Sequence, residues 1–172
     1  MKQVRNLMKY FLSLLVCVFV RLAPRPPNIE PIMFTAMPLS KEFGKYAGFI
    51  YASFAIILLD TLQGRIGYWT VYTSFVYGLV GYASALWLSR QKTTKGKDYA
   101  VFAFFATIFY DMTTALIFGF QFGQGLEATL VGQVPFTLYH LIGNLIFAYF
   151  LSPIVHKWVI ANPRLELNLA IQ

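Results

Sequence analysis

Across residues 99–120 the chain carries one charged side chain, Asp111. Crossing a bilayer as a helix takes roughly 20 predominantly apolar residues, and few other folds absorb so long an apolar run. The pattern recurs at residues 6–23, 30–43, 45–62, 67–89 and 135–158, with most charges in the gaps or near the ends of the runs. Only 12% of the 172 residues are charged, against about 25% in a soluble domain. The expected fold is an all-α integral membrane protein, a single domain forming a bundle of six transmembrane helices. The first two runs are short, and the second holds Pro31 and Pro38. A short span is tolerated where protein rather than lipid surrounds it.

The basic residues set the expected orientation. Net charge is +7, but no basic face on a soluble body accompanies it, as nucleic-acid binding would require. With both ends in the cytoplasm, every Lys and Arg except Arg21, Arg25 and Arg65 falls on the inner side. Such a bias orients membrane proteins. Lys2, Arg5 and Lys9 ahead of an apolar run imitate an export signal, but Arg21 and the Ala23-Pro24 pair argue against cleavage. Residues 121–133 contain no Lys or Arg, and their glycines predict a mobile or surface-lying cap on the outer face. Cys17 is the only cysteine, so neither an intrachain disulfide nor a cysteine-based metal site is possible.

Polar residues inside apolar runs are costly and mark either function or helix–helix bonding. At 1.5 Å per residue, Asp60, Glu30, Trp69, Thr70, Asp111, His140 and Asn144 all fall in the outer half. Thr137, His140 and Asn144 share one helix face, and so do Thr70, Thr73 and Tyr77. Trp69, Tyr72, Phe136 and Tyr139 supply flat apolar surface. Together these predict an outward-opening pocket in which aromatic rings stack on a small molecule and Glu30, Thr70, Asp111, His140 and Asn144 bond its polar edge. Each also has a plainer reading. Asp60 can pair with Arg65, and His140 and Asn144 can bond across helices. Trp69 and Tyr72 can sit at the membrane interface, while Glu30 can favour a helix start. Small residues four apart, Gly48 with Ala52 and Gly81 with Ala85, predict close helix packing. Ser13 and Cys17 carry the same spacing on the first span.

Several of these residues fall together in a recognisable order: Pro27 to Pro31, Gly44 with Gly48, Asp60, Gly67-Tyr68-Trp69-Thr70, Gly78 with Gly81, Asp111, and Pro135-Phe136-Thr137 through His140, Gly143, Asn144 and Pro153. This pattern resembles the substrate-binding S component of an energy-coupling factor (ECF) transporter, a vitamin-uptake ABC system. The resemblance implies a six-helix protein of the prokaryotic cytoplasmic membrane that captures a vitamin or related micronutrient from outside. It implies partnership with a membrane coupling protein and two cytoplasmic ATPase subunits, without a cofactor. This chain has no phosphate-binding loop of its own, since Gly44-Lys45 and Gly96-Lys97 lack the rest of the motif. In the family, an Ala-x-x-x-Ala pattern on the first span contacts the coupling protein. Ser13 and Cys17 stand at that spacing here.

The rival classes are a structural membrane scaffold of the rod-shape-determining type and an intramembrane enzyme. A scaffold needs no polar pocket. An enzyme would need more than Asp111 and His140, and no Gly-x-Ser-x-Gly, paired metal histidines or Asp-x-x-Asp accompanies them. His140 and His156 belong to opposite sides of the bilayer, which argues against a nitrogen-rich metal site.

Overall fold

In hydrocarbon a backbone N–H must find its partner within the protein, so apolar runs of this length become helices. A computed structural model of the chain describes residues 6–24, 29–91 and 94–167. Among them all regular structure is helical. The elements are α1 (Leu7–Leu22), α2 (Ile32–Phe43), α3 (Lys45–Leu62), α4 (Tyr68–Leu88), α5 (Gly96–Gln121) and α6 (Leu126–Ile160), followed by a 3₁₀ turn at Pro163–Leu165. Of the described helices, α3 to α6 are long and apolar enough to cross a membrane. Phe19, Ile50, Phe105, Leu138 and Phe150 are among many large apolar side chains on the outside. A water-soluble bundle would bury such side chains; the chain is a membrane protein.

The shortest helix occupies the centre. α2 has 12 residues, every one from Ile32 to Ser40 buried, and rises about 18 Å. Its polar side chains are satisfied locally. Thr35 Oγ1 donates to the Ile32 carbonyl at 3.0 Å and Ser40 Oγ to the Ala36 carbonyl at 2.6 Å. Ser152 Oγ of α6 donates across to the Phe34 carbonyl at 3.1 Å. A single residue, Gly44 at φ 92°, joins α2 to α3, a conformation that side chains with a Cβ rarely adopt.

Consecutive helices from α2 onward run antiparallel. Between α3 and α4, Asp60 meets Thr70, Ser53 meets Ser74, and Tyr46 meets Tyr82. Next to the Tyr46–Tyr82 end, Gly48 and Gly81 bring the two backbones together. A Cβ on Gly81 would lie 2.2 Å from the Gly48 carbonyl oxygen, so only glycine fits this crossing. Between α4 and α5, three ring pairs mark the same reversal: Tyr72–Phe118, Tyr77–Tyr110 and Trp87–Phe102.

Two expectations need correcting here. Residues 121–133 are not a cap. The chain turns between Gln121 and Leu126, and 126–133 form the first turns of α6, which has 35 residues and rises about 52 Å. Pro135, expected to start the helix, lies inside it. Membrane helices tolerate internal proline because neighbours meet the freed backbone groups. The added turns are held by packing, with Thr129 pressed against Gly119, where a Cβ would come within 2.4 Å of Thr129 Oγ1. Near its other end α6 widens into π turns at Phe147–Leu151 and His156–Ile160 around Pro153, which has no N–H to continue the regular ladder. The second correction concerns Ser13 and Cys17. Both are buried inside the bundle, and Ser13 Oγ is spent on the Lys9 carbonyl at 2.8 Å. Neither side chain lies on the surface of the bundle.

Candidate functional site

α1 and α3 finish, and α2 and α4 begin, at one end of the bundle. Between them lies a cavity of about 790 Å³. Four ionisable side chains line it, one from each of α1 and α3 and two from the segments between helices: Arg21, Asp60, Glu30 and Arg65. Its greasy wall is Ile32, Ile56, Leu59 and Ile66, and Trp69, Tyr110 and Phe136 contribute rings.

The charges are arranged in pairs. Arg21 Nη1 donates to Glu30 Oε1. Arg65 stands 3.9 Å from Asp60 Oδ1, and Thr70 Oγ1 donates to Asp60 Oδ2 at 2.7 Å. The same Thr70 oxygen accepts the Gly67 N–H at 3.2 Å, at the start of α4. Side-chain exposure separates the pairs: 11% and 22% for Arg21 and Glu30, but 53% for Arg65 against 14% for Asp60. The first pair is part of the wall, while the Arg65 guanidinium is half exposed beside Asp60. Trp69 is held over the loop by its indole N–H, which donates to the Arg65 carbonyl at 3.0 Å. Gly67 makes room for that ring, since a Cβ there would come within 2.7 Å of it.

Behind this chamber sits a second polar group, sealed from it. Asp111 Oδ1 and His140 Nδ1 are 2.7 Å apart, and both side chains are essentially inaccessible. One turn further in, Asn144 Nδ2 donates to Thr107 Oγ1 at 2.9 Å. These bonds tie α5 to α6. Among the described residues Asp111 Oδ2, His140 Nε2 and Asn144 Oδ1 each lack a hydrogen-bond partner. The His140 ring packs edge-on, 5.9 Å between centroids, against both Tyr110 and Phe136. The pair thereby positions two rings that do line the chamber.

Of the residues expected at the site, Glu30, Asp60, Trp69 and Phe136 line the cavity, and Thr70 supports Asp60 from behind. Asp111, His140 and Asn144 point inward but stand one layer back. Thr137 accepts from Gln133 Nε2 at 3.2 Å along its own helix. Tyr72 and Tyr139 do not belong to the chamber. They are 40% and 55% exposed on the outer surface of the bundle, because each lies off the buried face of its helix. Arg21, Arg65 and Tyr110 complete the lining and were not expected there. Arg21 and Arg65 read as topology charges, yet a charged residue at the end of an apolar run opposite an acidic one is a usable signal. Among the described residues no three metal-ligating side chains cluster. Comparison with protein families, with curated proteins and with solved structures finds no match to this chain.

Proposed function

We propose that the chain is a membrane-embedded solute-binding subunit for uptake, of the ECF S-component kind. In this reading all six helices cross the membrane, both ends are cytoplasmic and the cavity opens outward. The captured solute is a vitamin or related organic micronutrient, passed inward with a coupling membrane protein and two ATPase subunits. The observation that carries the proposal is the cavity of about 790 Å³ walled by two acid–base pairs and three aromatic rings. Ligand pockets of roughly 300–1,000 Å³ with a mainly apolar wall and a few fixed polar groups are the usual form of small-molecule sites. Charge this close to lipid is expensive unless it serves a purpose, and a scaffold gains nothing from it.

The test is to purify the chain from native membranes and identify any retained small molecule by native mass spectrometry. Uptake of that compound into cells carrying the coupling protein and ATPases is then measured. Retention and ATP-dependent uptake are expected. A chain that retains no solute, binds none from a micronutrient panel and co-purifies with cell-wall synthesis proteins would overturn the reading.

A further inference from the structure

A second cavity of about 460 Å³ lies between α5 and the first turns of α6. It shares Thr73, Tyr110 and Phe136 with the first, so those side chains form the partition between two adjoining spaces. The linings differ in kind. The first chamber holds both signs of charge. The second holds no charged side chain, and its polar groups are the hydroxyls of Thr73, Tyr110, Thr114 and Thr129 and the amides of Gln124 and Gln133. Thr73 and Thr114 already donate to carbonyls of their own helices, and Gln133 Nε2 donates to Thr137 Oγ1. Thr129 Oγ1 is buried without a hydrogen-bond partner among the described residues. An acyl chain would leave Thr129 Oγ1 unpaired, whereas a hydroxyl or amide on a ligand would satisfy it.

We propose that the two spaces accept one elongated solute. A head with hydrogen-bonding or ionised edges lies among Arg21, Glu30, Asp60 and Arg65, and a neutral tail bearing hydroxyls or amides runs past Phe136 into the α5–α6 space. This rests on the solute-binding reading and narrows it to head-and-tail compounds.

Gly132 lines the second space, and a Cβ there would meet nothing within 4 Å, so the position has room for a side chain and Gly132→Phe sets a ring at the wall of the space. Ala115→Leu approaches it from the opposite helix. Leu138→Phe, on the outer surface, controls for added bulk. The probes are two matched pairs, riboflavin with lumiflavin and pantothenate with N-acetyl-β-alanine. Each pair shares a head and differs by a neutral hydroxyl- or amide-bearing chain. Binding to the detergent-purified full chain is read by native mass spectrometry, with thermal unfolding run alongside. Wild type and Leu138→Phe are expected to prefer the tailed member of at least one pair by about tenfold or more. Gly132→Phe and Ala115→Leu are expected to abolish that preference. Preference retained in both variants overturns the two-space site and leaves solute binding standing. Equal binding of tailed and head-only compounds by wild type does the same. A purified chain carrying only phospholipid and binding none of the four compounds overturns both.

Discussion

Asp60 and Asp111 stand in the same relation to their helices and end in different circumstances. Each is an aspartate on the first member of an antiparallel helix pair, bonded to a side chain of the second: Asp60 to Thr70, Asp111 to His140. Asp60 opens onto a chamber and shares it with a half-exposed arginine. Asp111 is fully enclosed. The difference shows that depth in an apolar run does not by itself place a polar residue on a cavity wall. Asp60 lies near a helix end, where four segments diverge and leave space between them. Asp111 lies where α5 and α6 press together, and there a carboxylate serves to hold helices and orient rings.

The comparison breaks most sharply at Asp111. Replacing it by Ala leaves a buried His140 without its partner, and loss of one member of such a pair is expected to destabilise the bundle by about 2–3 kcal/mol. Thermal unfolding in detergent measures this. Ligand affinity should fall as well, because Tyr110 and Phe136 lose the ring that positions them. A variant of wild-type stability would mean that the enclosed pair is not what joins α5 to α6.

Asp60→Asn tests the other side. The amide oxygen can still accept from Thr70, and the Arg65 contact is long and half-solvated, a class of ion pair worth about 0–1 kcal/mol. Stability should hardly move, while affinity for the retained solute should fall about tenfold. Asn144→Leu is expected to cost only about 1 kcal/mol. The Thr107 hydroxyl it abandons can turn to a carbonyl of its own helix, and solute affinity should stay within about twofold, the marker of a bond that serves packing alone.

How much of this was legible beforehand follows from what each signal measures. Hydropathy marks where a helix can cross, and α3 begins and ends at the expected residues, Lys45 and Leu62. It does not mark how far a helix continues beyond the membrane, so glycines and Pro135 made the first turns of α6 read as a loop. The packing of Thr129 against Gly119 that settles the matter is tertiary. Glu30, Asp60, Trp69 and Phe136 were legible because polar and aromatic groups at converging helix ends have few other uses. Arg21 was hidden by its second meaning as a topology charge. Tyr110 was hidden by company, since one tyrosine in an aromatic-rich span carries no distinguishing pattern.

The smallest effects belong to Tyr72 and Tyr139, and they decide whether helix rotation or composition governs the site. Thr70, Thr73 and Tyr77 repeat at i, i+3 and i+7 and all face inward or into the chamber; Thr137, His140 and Asn144 repeat the same spacing on α6, where the latter two are buried. At 3.6 residues per turn, Tyr72 and Tyr139 each stand about 100° from the nearest member of their set, which turns them toward lipid. Tyr72→Ala and Tyr139→Ala are therefore expected to change affinity for the retained solute by less than about twofold, against about tenfold for Trp69→Ala, whose ring lines the chamber. Isothermal titration with that solute separates the cases. A tenfold loss in Tyr139→Ala would mean that α6 rotates on binding, bringing its exposed face into the chamber and His140 out of its contact with Asp111.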